Sequence, residues 1–270
     1  MILQLGREPA EALAWSETRL ERIEPDAPVI ALWLPRGLTV AVGISQLPER
    51  ETYVDALRRD AVTLMRRQSG GGAVLLHPGV LCWESLADIR DIERFGGKGS
   101  GIRESYAVLC RPVIDALRQI GVEAFQAGIC DISVRLGDDS RDVRKLAGTA
   151  QLRRRDKVLV HGSLLVSPDM ALLERYLRFP SEEPNYRRGR SHSEFCLGVD
   201  QAANIADAGI CMRLVVEALH RTAHAEGWRL ETPAALAGDT TYAAAYAKYS
   251  SPQWNLEKKR MRNRPSFPNE

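Results

Sequence analysis

The chain has 270 residues, 44% of them hydrophobic and 27% charged, and its 37 Lys and Arg nearly balance 35 Asp and Glu. That profile excludes disordered, collagen-like and coiled-coil chains, and the balanced charge excludes a protein that coats nucleic acid. No run reaches the ~18 apolar residues of a membrane span, and Glu8 and Glu11 fall where a secretory signal would need an apolar stretch. A soluble, cytoplasmic protein with no membrane partner is expected.

In chain order, the apolar spacing of PAEALAWSETRLERI predicts a helix from Pro9 to Ile23. VIALWL from Val29 and LTVAVG from Leu38, split by Pro35-Arg36-Gly37, predict a β-hairpin. ERETYVDALRRD reads as a helix, AVTLMRR as a strand, and GGAVLLHPGVLCWESL as two strands around His77-Pro78-Gly79. IRESYAVLCRPVIDALRQIGV carries a helical period that Gly121 stops, with Pro112 a candidate kink. Strands follow at Asp131 to Leu136, Val143 to Gln151 and Lys157 to Val166, the first two separated by a Gly137-Asp138-Asp139-Ser140 turn.

Helices return in DMALLERYL, AANIADAGICMRLVVEALHRTAHAEG and TTYAAAYAKY, while FPSEEPNYRRGRSHSEF and the Pro-rich basic tail from Ser251 read as irregular. Strands and helices do not alternate as regular βαβ units, so the class is α+β, with one domain over 1–250 and a basic tail over 251–270. Cys82, Cys110, Cys130, Cys196 and Cys211 form no Cys-x-x-Cys pair and read as reduced core thiols, not metal ligands.

The run Arg66-Arg67-Gln68-Ser69-Gly70-Gly71-Gly72-Ala73-Val74 is the most informative. Three glycines leaving a strand let a ligand approach the main chain, and exposed amides beside planar guanidinium groups hold anions. A glycine-rich turn with solvated arginines has the same sequence. The spacing fits neither the phosphate loop of nucleotide hydrolases nor the dinucleotide fingerprint. A second run, Lys145-Leu146-Ala147-Gly148-Thr149-Ala150-Gln151, precedes His161-Gly162. Lys145 reads as a solvated lysine or as a compact charge for phosphate or carboxylate oxygens, and His161 as a structural histidine or a base.

Taken together, RRQSGGGAVLLHPG and KLAGTAQLRRRDKVLVHGSLLV resemble the signature of the lipoate-protein ligase A family, whose catalytic fold biotin ligases and octanoyltransferases share. Gly43-Ile44-Ser45-Gln46 and the YRRGRSHSEF segment from Tyr186 are weaker echoes. The resemblance implies a central mixed sheet flanked by helices. It also implies an ATP-dependent reaction that makes lipoyl- or octanoyl-adenylate and passes the acyl group to a lysine of an acceptor, a lipoyl domain or a glycine-cleavage H-like protein. Lys145 is then the catalytic cation. Arg67 and Gly72, Ala73, Val74 and Leu75 lie against the phosphate and acyl groups, and Ser69, Gly70, Gly71, His77, Asp131, Gly148, Thr149, Ala150, His161 and Gly162 complete the binding site.

Three departures bear on this expectation. The chain ends soon after Trp254-Asn255, where one ligase type continues into an accessory domain, which implies a separate accessory subunit. Pro78 stands after His77 where the family often has an acid, so the Mg²⁺ that accompanies ATP has no assigned ligands beyond Asp131 as a single candidate. Cys130 stands where ligases tend to have Asn; it is either packing beside the ligand or the nucleophile of an ATP-independent octanoyl or lipoyl transferase. A non-catalytic binder of lipoylated proteins is the third alternative. The Arg153-Arg154-Arg155 and Arg187-Arg188-Gly189-Arg190 clusters are solvated faces or steer an acidic acceptor.

Overall fold

The computed structural model describes residues 5–99, 101–137 and 142–257. The elements in chain order are β1 (Gly6–Arg7), α1 (Pro9–Glu21), β2 (Val29–Pro35), β3 (Thr39–Val42), α2 (Pro48–Glu51), α3 (Val54–Arg59), β4 (Thr63–Arg66), β5 (Val74–Leu76) and β6 (Val80–Asp88). They continue with α4 (Ile89–Arg94), α5 (Ile102–Gln119), β7 (Phe125–Ala127), β8 (Asp131–Arg135), β9 (Val143–Arg154) and β10 (Lys157–Leu165). The last third holds α6 (Met170–Tyr176), α7 (His192–Phe195), α8 (Val199–Ala202), α9 (Ala208–Ala225), β11 (Arg229–Glu231), α10 (Thr240–Tyr249) and α11 (Pro252–Leu256).

The large sheet runs β1-β2-β6-β10-β9-β8-β7, with β11 also paired to β2, and a small sheet runs β4-β3-β5. β1 and β11 pair with β2 in parallel and the other large-sheet pairs are antiparallel, so the sheet is mixed, as the α+β reading expects. Helices cover both faces. α5 and α9 pack their apolar stripes, Leu109, Val113 and Leu117 with Val215 and Leu219, onto Ile30, Trp83 and Val160. On the other face α1 and α10 bury Trp15, Leu20 and Tyr249 against Val29, Leu86 and Leu159. With both faces covered, β6 is buried along its whole length, Glu84, Ser85 and Asp88 included.

The β2–β3 hairpin does not form. Both edges of β2 are already taken, by β6 on one side and by β1 and β11 on the other, so the Pro35–Gly37 turn sends β3 into the small sheet between β4 and β5. The ERETYVDALRRD helix breaks at Thr52 and Tyr53, which pair with Leu177 and Tyr176 instead of continuing the helical ladder. The long helix from Ala202 is likewise two pieces, because the Asp207 side chain caps a fresh start by accepting from the Ile210 amide. The expected irregular tail begins with α11, held by Arg66 as described below. Residues 138–140 of the predicted turn and 258–270 of the tail lie outside the described residues.

Candidate active site

The two sequence motifs meet where the small sheet's glycine loop lies on β9. A Cβ built on Gly71 would stand 3.6 Å from the Ala150 Cβ and 3.8 Å from the Thr149 carbonyl oxygen, and one built on Gly148 would stand 2.9 Å from Lys145 Nζ. The loop and the ammonium thus border one open groove of about 2730 Å³. Gly70, Gly71, Gly72, Ala73, Val74, Leu75, Cys130, Asp131, Lys145, Gly148 and Thr149 all line it. A groove this size exceeds the roughly 300–1,000 Å³ of a single small-molecule pocket several-fold.

Lys145 reaches Asp131 because β9 is bulged. Asp131 pairs with Gly148 and Ile132 with Ala147, but Ser133 pairs with Lys145, leaving Leu146 as the extra residue. In a regular strand, residues three apart point to opposite faces. The bulge cancels one alternation, so Lys145 and Gly148 share a face with Asp131. Lys145 Nζ lies 2.8 Å from Asp131 Oδ1. Burial opposes the charge of Lys145, but the Asp131 carboxylate outweighs it and holds the ammonium above its ordinary pKa. The second oxygen, Asp131 Oδ2, accepts from Tyr186 Oη at 2.7 Å.

The glycine loop is shaped from behind by arginines. Arg67 Nη2 donates to the carbonyls of Gly70 and Gly72 at 2.7 Å each, Nη1 to Ala41 O at 3.0 Å, and Nε to Ser69 Oγ at 3.1 Å. With those carbonyls turned toward Arg67, the N–H groups of Gly70, Gly71 and Gly72 donate to no protein acceptor among the described residues. Gly71 sits at φ +83°, open to glycine, and a Cβ on Gly43 would meet the Gly71 carbonyl oxygen at 2.4 Å. Gly43 is therefore the part of the Gly43–Gln46 echo that lets the two backbones touch.

Several site residues expected from the sequence lie elsewhere. Arg67 is buried, lines no part of the groove, and bonds loop oxygens where a phosphate contact was expected. Ser69 and His161 hydrogen bond to each other at 2.6 Å behind the loop, and burial together with the Arg67 charge pushes the His161 imidazole down to about 3, leaving it neutral. Gly162 leaves room for the Trp83 ring, 2.1 Å from where a Cβ would be. His77 closes its own turn by accepting from the Gly79 amide at 3.1 Å, and Ala150 packs under Gly71. None of these lines the groove. Thr149 does, but its hydroxyl and amide both donate to the Cys130 carbonyl, at 2.6 and 2.9 Å.

Cys130 borders the groove beside Asp131, and burial followed by the Asp131 charge pushes its thiol up to about 11, despite Lys145 and Arg67. Sequence reasoning missed Tyr186 as a partner of Asp131 and Arg66 as a scaffold; the YRRGRSHSEF segment was the available signal for the first, and nothing local marks the second.

Octanoyltransferase LipM of Kyrpidia tusciae is 29% identical over 238 residues, covering 82% of this chain and 84% of that protein. The fold superposes with TM-score 0.72 and 22% identity on a bi-partite lipoate protein ligase of Thermoplasma acidophilum, solved in a study of that ligase and its E2 lipoyl domain, covering 95% of this chain and 96% of the other. A lipoate-protein ligase A bound with ATP matches with TM-score 0.68 and 22% identity over 93% and 95% of the two chains. The sequence model of the lipoyl protein ligase A/B catalytic domain matches residues 8–222, and the chain belongs to that family.

Proposed function

We propose that the protein is an ATP-dependent lipoate-protein ligase, which joins lipoate or octanoate to AMP and then passes the acyl group to a lysine of a lipoyl acceptor domain. The observation that carries this reading is the pairing across one groove of three successive glycine amides, without protein acceptors among the described residues, with the Lys145 ammonium held by Asp131. Adenylation gathers negative charge at one phosphorus, and fixed amides and a fixed cation stabilise that charge without reorganising. The second step needs no protein nucleophile, because the mixed anhydride is already activated and positioning the incoming amine supplies much of the rate.

The loop amides fit a nucleotide phosphate. The carboxylates do not form a cation site: among the described residues no three His, Cys, Asp or Glu side chains cluster for a metal, and both Asp131 oxygens are engaged. Mg²⁺ accompanying ATP is therefore expected to be held by phosphate oxygens and water.

The similarity to an octanoyltransferase favours a second reading, ATP-independent transfer through Cys130. A thiol raised to about 11 is almost wholly protonated at neutral pH, which argues against an activated nucleophile. Incubation with octanoate, ATP and a lipoyl acceptor domain separates the readings. The ligase reading expects modification that requires ATP and survives Cys130→Ser. Transfer from an octanoyl carrier thioester without ATP, lost in Cys130→Ser, overturns it in favour of the second.

A further inference from the structure

The segment between α6 and α7 forms a strap along one wall of the groove. Ser181 ties it to α2 through the buried Glu51 carboxylate, which accepts from both the Ser181 hydroxyl and its amide. Arg190 Nη2 ties its other end to β9, donating to the carbonyls of Val143 and Tyr186 at 2.9 Å each. Between these anchors the Tyr186 ring packs on Phe195, centroids 5.2 Å apart, and its hydroxyl reaches Asp131.

We propose that Tyr186 is a positioning residue for the acyl-activating step, acting on Lys145 through Asp131. A carboxylate held at one oxygen can rotate and offer either oxygen, or both, to an ammonium. Here Tyr186 Oη holds Oδ2 at 2.7 Å, so Oδ1 alone faces Lys145 Nζ at 2.8 Å. Gly148, whose absent Cβ would stand 2.9 Å from Nζ, leaves the ammonium room beside it, so the carboxylate is what fixes its place. The hydroxyl of Ser133 lies 3.3 Å from Tyr186 Oη, on the phenol rather than on Asp131. Strap and cation are thus joined by two hydrogen bonds in series, and displacement of the strap releases the carboxylate that aims Lys145.

The proposal rests on the reading of Lys145 as the cation at the reacting carboxyl group, and a double-mutant cycle tests it. Tyr186→Phe keeps the ring on Phe195 and removes only the hydroxyl. A hydrogen bond to a carboxylate contributes enough that its loss is expected to lower kcat about tenfold, with KM for the acyl substrate and the melting temperature little changed. In an Asp131→Asn background the same substitution is expected to cost less than about twofold, because its effect passes through that carboxylate. Should Asp131→Asn not fold, Lys145→Gln serves as the background.

An unchanged kcat in Tyr186→Phe, or an equal loss in both backgrounds, overturns the proposal. Rates are read with octanoate plus ATP and with an octanoyl thioester. The ATP requirement judges the ligase reading, while the cycle, run on whichever donor turns over, judges Tyr186. Turnover with neither donor overturns both.

Discussion

A methyl group added at two glycines meets two different neighbours, and the neighbour decides whether catalysis or folding suffers. On Gly148 it meets the free end of Lys145, with Nζ at 2.9 Å and Cε at 3.1 Å. The lysine can move aside cheaply, so Gly148→Ala is expected to change stability by less than about 1 kcal/mol. On the ligase reading, displacing the ammonium is expected to cost about tenfold or more in acyl transfer, since small misplacements carry large rate penalties. On Gly162 the methyl meets the Trp83 ring at 2.1 Å, inside a core where Trp83 is 1% exposed. Gly162→Ala is expected to destabilise by about 1–3 kcal/mol or more by overpacking, although His161-Gly162 reads in sequence as part of the site. Urea unfolding and an acyl-transfer assay on the two variants check both halves; a Gly148→Ala enzyme of full activity would show that acyl transfer does not need the ammonium at that place.

At the scale of elements, Arg66 joins three pieces of chain. Its buried guanidinium donates to the carbonyls of Gly43 and Gln46 at 2.8 Å each and of Ile44 at 3.1 Å, and through Nε to Trp254 O at 3.2 Å. Its backbone amide donates to Asn255 Oδ1, and its carbonyl accepts from Trp254 Nε1. Arg66→Met takes a charged donor from the part-buried carbonyls of Ile44, Gln46 and Trp254, at about 1 kcal/mol each. Faster hydrogen exchange is expected in both the Gly43–Gln46 turn and α11, more than in α9; exchange confined to one of the two would show that Arg66 does not couple them.

Neighbouring arginines in the sequence thus do related scaffold work, and neither faces the groove as a phosphate ligand. Sequence could not show this, because an arginine that satisfies backbone carbonyls reads the same as one awaiting an anion. The strands and buried helices were legible from apolar spacing, which depends only on which face meets the core. Lys145 was legible as a candidate, but its pairing with Asp131 depends on the bulge at Leu146, and a period of two cannot reveal where one residue is skipped. The hairpin failed for a related reason: β1 and β11, far apart in the chain, take the edge of β2 that β6 leaves.

Across the whole molecule, helices on both faces leave β6 without a solvent side, yet it carries Glu84 at 1% exposure. One carboxyl oxygen accepts from Trp33 Nε1 at 3.1 Å and the other has no hydrogen-bond partner among the described residues. Burial raises this carboxyl from near 4.5 to about 7, against the Trp33 hydrogen bond. His161 stands opposite on β10, neutral down to about 3, while Cys82 and Tyr249 nearby are themselves held protonated by burial.

Between pH 4.5 and 7 the folded state therefore holds a proton on Glu84 that the unfolded chain has released, so stability falls as pH rises through that window. His161 acts in the opposite sense: the unfolded chain takes up a proton below about 6.5 that the folded imidazole refuses, so stability falls as the solution is acidified. Glu84→Gln keeps an amide oxygen for Trp33 and removes the ionisation. Its stability relative to wild type is expected to grow with pH, from little difference near pH 4.5 to a gain of up to about 3 kcal/mol at pH 8. The acid limb set by His161 is expected to stay in place. Urea denaturation of both proteins at pH 5, 6, 7 and 8 checks this, and parallel curves would show that Glu84 ionises as freely in the folded protein as in the unfolded chain.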